Sequence, residues 1–170
     1  MPIGSIAMSL EGVLQKSSSN VPLQLGIALY HSLKDNFNIV LYSEQARKPV
    51  DYWLAIESLT SHAAVEYSEA NVQFLGSPER KLSQVSSLRR RGYKIELIIE
   101  SEPDASALLM LNGFNVLHFL HSQYTLPQWR PDFTGKPRNW EVLAELATQE
   151  AELKAVDMRL KKLDEGSDWD

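Results

Sequence analysis

Short apolar runs alternate along this chain with stretches whose apolar positions recur at helical spacing, and this alternation restricts the possible folds more than any other feature. Ile3 to Met8 is one such run and ends in the turn-like Ser9-Leu10-Glu11-Gly12. Pro22 stands where a helix can begin, and Leu23, Ile27, Leu29, Tyr30 and Leu33 follow on one face. Phe37 to Tyr42 is a continuous apolar and β-branched run, as expected of a strand covered on both sides. Pro49 to Thr60 reads as a second helix through Trp53, Leu54, Ile56 and Leu59, and Val72 to Leu75 as a short third strand. Ser77-Pro78-Glu79 opens a third helix that Gly92 stops, and Ile95 to Ile99 forms a fourth strand. Glu102, Pro103 and Asp104 open a fourth helix, Asn112-Gly113 closes it, and Phe114 to Leu120 supplies a fifth strand.

Strands and helices alternating in this way are joined by right-handed crossovers, which places helices on both faces of a parallel sheet. The expected fold is α/β, a Rossmann-like three-layer sandwich with a mainly parallel five-stranded sheet, plus a long C-terminal helix. Such sheets bind ligands beyond the carboxyl ends of their strands, so functional residues are sought there.

The α/β core is expected over 1–121. Pro127, Pro131 and Pro137, with Trp129 and Phe133, make 122–139 an irregular Pro-rich connection. Residues 140–170 read as a C-terminal helix followed by an acidic tail, with Leu143, Leu146, Leu153, Val156, Leu160 and Leu163 near helical spacing. That stripe needs a surface to cover, so a protein partner or self-association to an oligomer is expected through it. With 44% hydrophobic and 23% charged residues among 170, the chain suits one packed core. Apolar runs of membrane-spanning length and a secretory pattern are both lacking, so the expectation is a cytoplasmic protein with no membrane contact. Cysteine is absent, which excludes disulfides, thiolate zinc sites and a cysteine nucleophile. A net charge of -5 gives no general attraction to a phosphate backbone despite Arg89, Arg90 and Arg91, so nucleic acid is not the expected partner.

Four polar features fall at the expected strand ends and helix start. They are Ser9-Leu10-Glu11-Gly12-Val13-Leu14, Ser43, Lys81, and Glu100-Ser101-Glu102-Pro103-Asp104. In this order and spacing the chain, from Pro2 to Leu120, resembles the haloacid dehalogenase (HAD) superfamily. There strand one carries Asp-x-Asp-Gly-Thr/Val-Leu, strand two a Ser or Thr, a later helix a Lys or Arg, and strand four one or two acids. The resemblance implies phosphoryl transfer, in which a carboxylate attacks phosphorus, a second acid protonates the leaving group, and Mg²⁺ with a cation neutralises the oxygens. Carried over, Ser9 takes the nucleophile position, Glu11 the general acid/base position, Ser43 the phosphate hydrogen bond and Lys81 the cation. Glu11, Glu100, Glu102 and Asp104 would then be the metal ligands.

Ser9 breaks the family's pattern. Its hydroxyl ionises far above neutrality and is a poor ligand for a hard cation, so both the reactive oxygen and a main metal ligand are lost. Glu11 adds a methylene where a misplacement of ~1 Å can cost on the order of 100-fold in rate. As a nucleophile, Ser9 would have to rely on Glu11 as its base, a weak substitute for the usual His or Lys. The acids at 100, 102 and 104 can cap a helix N-terminus as well as bind Mg²⁺. His118 and His121 fall on opposite faces of a strand, which disfavours a shared zinc. Glycine-rich nucleotide loops are absent. The expectation is a catalytically inactive HAD-like protein, retained for binding or assembly and needing no cofactor. The alternative is a Mg²⁺-dependent phosphohydrolase acting on a nucleotide or small phosphomonoester. The segment Gln15 to Asn20 leaves little room for a large cap, in which the chain also resembles some bacteriophage-encoded members of the family.

Overall fold

The computed structural model describes residues 4–17, 19–68 and 75–120, together with positions 145, 148, 149, 152, 153 and 156. The elements of the first compact unit, Met1–Ser122, are β1 (Ser5–Ser9), α1 (Gln24–Leu33), β2 (Asn38–Tyr42), α2 (Arg47–Ile56) and β3 (Ala64–Glu66). They continue with α3 (Ser77–Arg90), β4 (Ile95–Glu100), α4 (Pro103–Leu111) and β5 (Val116–His118). All strand pairs are parallel and the order is β3-β2-β1-β4-β5, so the fold is an α/β, Rossmann-like sheet of five strands.

β1 lies at the centre and is buried along its whole length, which accounts for its lack of polar alternation. Its side chains divide by parity between two cores. Ile6 and Met8 join Ile39, Leu41 and Ile99 against Tyr30 of α1 and Val50, Trp53 and Leu54 of α2. Ala7 joins Val40, Tyr42 and Ile98 against Val85 and Leu88 of α3 and Leu109 of α4. Each leucine or isoleucine withdrawn completely from water contributes about 1.5–3 kcal/mol, so the two cores are the main source of stability. The strand order reverses around β1, between β2 and β4, and sheets of this kind bind ligands at the carboxyl ends of the strands at such a point.

Helix ends follow the expected chemistry where glycine supplies a left-handed residue, at Gly92 (φ 98°) after α3 and Gly113 (φ 83°) after α4. Helix α2 ends four residues earlier than the apolar pattern suggests. Ser58 turns the chain at φ 58°, and Leu59 becomes a fully buried loop residue whose N–H bonds Leu54 O at 2.9 Å. The third strand of the described sheet is Ala64–Glu66, which lies ahead of the run Val72–Leu75. Three residues containing an alanine and a glutamate carry almost no strand signal, and tertiary pairing with β2 decides the matter. Of Val72–Leu75, only Leu75 lies within the described residues, as a bend.

The second compact unit is Gln123–Asp170, in which the described positions are helical and Leu153 and Val156 are exposed. The connection over 122–139 and the rest of the C-terminal helix expected over 140–163 lie outside the described residues. Among the described residues no helix is long and apolar enough to cross a membrane.

Candidate functional site

The carboxyl ends of β1, β2 and β4 gather the polar residues singled out from the sequence. Ser9 is the last residue of β1 and stands in register with Tyr42 of β2. It is fully buried and donates its hydroxyl to Glu11 O at 3.0 Å, an oxygen that Ser101 Oγ also approaches at 3.4 Å. The following turn requires Gly12, whose φ is 79° and whose missing Cβ would lie 1.8 Å from Ser101 Oγ.

Glu11 is buried, with its carboxylate set against the residues that follow β2. Its Oε1 accepts from Ser43 Oγ at 2.6 Å and Gln45 Nε2 at 3.2 Å, and its Oε2 from the Glu44 N–H at 3.3 Å. Burial raises the carboxyl pKa, and the Ser43 hydrogen bond and the charge of Lys81 offset this only in part.

The second half of the cluster centres on Lys81, which α3 places over the carboxyl end of β4. Its Nζ lies 3.0 Å from Glu100 Oε1 and 2.8 Å from Glu102 Oε2, and the ammonium and Glu100 are both buried. Glu100 Oε1 also accepts the backbone N–H groups of Ser101 at 2.8 Å and Glu102 at 2.9 Å, while its Oε2 accepts Tyr42 OH at 2.7 Å. Glu102 Oε2 takes a further bond from Ser77 Oγ at 2.7 Å. Burial alone would push the lysine down, but the carboxylates of Glu100, Glu102 and Glu44 outweigh it and hold the ammonium charged. Tyr42 is driven well above the usual phenol range by burial and by Glu100. Beside them Arg80 holds Glu44 at 2.6 Å, and Gln84 Nε2 bonds Ser43 O at 2.6 Å. Burial would raise the Glu44 pKa, yet Lys81 and Arg80 lower it.

Ser9, Glu11, Ser43, Lys81, Glu100 and Glu102 thus belong to one strand-end cluster. Asp104 does not, since it stands exposed in the first turn of α4, where its charge favours the helix N-terminus. His118 on β5 shares a 2.7 Å hydrogen bond with Ser106, and burial pushes its pKa down to about 4. His121 lies outside the described residues. The sequence reading missed Tyr42, Glu44, Gln45, Arg80 and Gln84, which have no motif of their own. Only their adjacency to Ser43 and Lys81 could have drawn notice.

Chemically, the cluster is a set of charges already answered from within. Mg²⁺ takes near-octahedral oxygen ligands and keeps several waters, whereas the Glu100 oxygens are occupied by four donors, one of them a buried ammonium. Among the described residues no three His, Cys, Asp or Glu side chains are disposed to hold a metal ion.

No protein-family model and no curated protein matches the chain. Among solved structures, a chain of a Pnkp1/Rnl/Hen1 complex is similar with a TM-score of 0.57 at 11% identity, covering 71% of this chain and 47% of that one. This protein therefore spans about half the length of that structure. The core domain of a candidate phosphoglycolate phosphatase from Streptococcus pneumoniae TIGR4 is similar with a TM-score of 0.49 at 10% identity, covering 86% of this chain and 96% of that one. The similarity is one of fold.

Proposed function

We propose that this domain keeps a HAD-like scaffold without its phosphoryl-transfer chemistry and serves in binding or assembly. The observation that carries this reading is the closed Tyr42–Glu100–Lys81–Glu102 network, in which the cation expected to meet phosphate is spent on the acids expected to meet Mg²⁺. A serine at position 9, its hydroxyl bonded to Glu11 O, supports the same reading, since it offers no carboxylate to attack phosphorus. In this reading no metal or organic cofactor takes part. The domain acts in the cytoplasm and engages a protein partner or a second copy through the apolar positions of the C-terminal segment, two of which, Leu153 and Val156, are exposed. The brevity of the Gln15 to Asn20 segment suits a bacteriophage-encoded accessory protein of this kind.

One observation favours the alternative of a Mg²⁺-dependent phosphohydrolase. Glu11 is a desolvated carboxyl with a raised pKa, the property a general acid needs. Assay of the purified protein against a panel of nucleotides and small phosphomonoesters with Mg²⁺ separates the two. The binding reading requires rates at the level of the buffer blank; turnover that vanishes in Glu11→Ala would overturn it.

A further inference from the structure

The Asn112-Gly113 pair that closes α4 has a chemistry that neither reading uses. Of the asparagines in the chain, Asn112 alone precedes a glycine, and the others precede Val, Phe, Ile or Trp. The distinction matters because the backbone nitrogen after an asparagine can attack its side-chain amide carbon, and a side chain on that next residue hinders the approach. Gly113 has none, and a Cβ built there would meet nothing within 4 Å, so the space beside it is open. Asn112 and Gly113 are both exposed to water.

In the closed turn the two reacting groups are held apart. Asn112 has φ -92° and ψ 14°, and this ψ turns the Gly113 nitrogen away from the Asn112 side chain. The Gly113 N–H donates to Met110 O at 3.0 Å, and Asn112 Nδ2 donates to Leu108 O at 2.8 Å. These bonds lie in the last turn of a helix, where Met110 and Leu111 are exposed as well, and such a turn opens at far less cost than the core. Once it opens, the glycine offers the widest backbone freedom of any residue, so the attacking geometry is within reach.

We infer that Asn112-Gly113 is a spontaneous modification site, at which opening of the α4 end converts the asparagine to aspartyl and isoaspartyl forms. The Gly113 nitrogen bonds to Asn112 Cγ, the Cγ–Nδ2 bond breaks, and Nδ2 leaves as ammonia with the proton that the Gly113 nitrogen gives up. Water then opens the resulting succinimide ring. Cleavage at Cγ leaves aspartate, whereas cleavage at the main-chain carbonyl leaves isoaspartate, whose chain runs through Cβ and Cγ and is longer by a methylene. Either product places a new carboxylate at a helix C-terminus, and α4 has no basic residue in its last turn to answer it. The isoaspartyl form also shifts the link that seats Phe114, whose N–H bonds Leu109 O at 3.2 Å and whose ring packs on the core beneath α3 and α4. The modification thus loosens the entry to β5. It rests on the α4 turn alone and stands whether or not the strand-end cluster is silent.

The test ages the full chain in mildly alkaline buffer with and without urea and follows it by peptide mapping. The expected result is conversion of one amide to an acid in the peptide that holds Asn112, with the isoaspartyl product in excess, and about tenfold faster in urea, where the turn no longer holds the groups apart. Asn112→Gln, which keeps an amide but would have to close a larger ring, should stay unreacted in both buffers. Gly113→Ala compared in urea, where the strain of a left-handed alanine is absent, should slow the reaction about tenfold. In the isolated isoaspartyl form the Phe114 N–H should exchange with solvent about tenfold faster than in the unreacted protein. Conversion at another asparagine, equal rates with and without urea, a folded chain still unreacted long after the unfolded one is consumed, or unaltered Phe114 exchange would overturn the inference.

Discussion

Tyr42 donates its hydroxyl to Glu100 Oε2 at 2.7 Å although the two residues belong to strands on opposite sides of β1. Neighbouring strands lie about 4.8 Å apart, so this bond spans the central strand at the level of its last residue. Ser9 is in register with Tyr42 and one position beyond the Met8–Ile99 pair, which puts it between them on the same face. A small side chain at position 9 is therefore a packing requirement of the network. Ser9→Asp should bury a further carboxylate beside Glu100 and cost about 3–5 kcal/mol at pH 7, while Ser9→Ala, losing one hydrogen bond, should cost about 1 kcal/mol. Urea unfolding monitored by circular dichroism checks both; an Asp variant as stable as wild type would show that position 9 does not face the network.

Among the described residues Lys81 is the only ammonium that Glu100 touches, and it is 3% exposed. Lys81→Met keeps the stem but leaves two acids without their cation, for which a loss of about 3–5 kcal/mol is expected. Adding Glu100→Gln should recover part of it, because the amide oxygen can still accept the backbone N–H groups of Ser101 and Glu102 while its NH2 donates to the Tyr42 hydroxyl oxygen. Chemical denaturation of the single and double variants measures this coupling.

The raised pKa of Glu11 sets a pH dependence whose sign can be worked out. Above 4.5, the value of an unperturbed glutamate, the unfolded chain gives up this proton before the folded one does. The contribution of Glu11 to stability is thus fully present below 4.5 and is lost as pH rises through its folded value. Glu11→Gln, which can still accept from Ser43, should remove this loss, so the variant gains on wild type between pH 4.5 and neutrality. Parallel unfolding curves across that range check the sign, and a variant that loses ground there contradicts it.

Gly26 in α1 shows packing overriding helix propensity. A Cβ at this position would lie 1.7 Å from Val13 O, a backbone atom in the turn that carries Glu11. Gly26→Ala would gain about 1 kcal/mol in an isolated helix, but overpacking against backbone costs about 1–3 kcal/mol or more. The substitution should lower the melting temperature, and a rise would mean that α1 can move away from the turn.

Much of this architecture is legible in the sequence because parallel strands covered on both faces read as unbroken apolar runs. Leu97–Ile99 and Ile39–Tyr42 announce themselves in this way, and Gly92 and Gly113 mark their helix ends through backbone chemistry. β3 was not legible, since Ala64–Glu66 is too short and too mixed to signal a strand without β2 beside it. At the strand ends, the positions of Ser9, Glu11, Ser43, Lys81 and Glu100 follow from the alternation of elements. What the sequence could not convey is which polar group answers which. The bond from Tyr42 to Glu100 joins residues 58 apart, and the partition of Lys81 between Glu100 and Glu102 depends on the placement of α3.

The account rests on a strand-end cluster whose charges are satisfied internally, and a calorimetric titration of the intact protein with Mg²⁺ at pH 7 tests it most directly. The prediction is no saturable heat in the millimolar range, with the NMR signals of the Lys81 ammonium and the Glu100 carboxylate unchanged. A one-to-one isotherm abolished by Glu100→Gln would contradict it and return the cluster to metal-dependent chemistry.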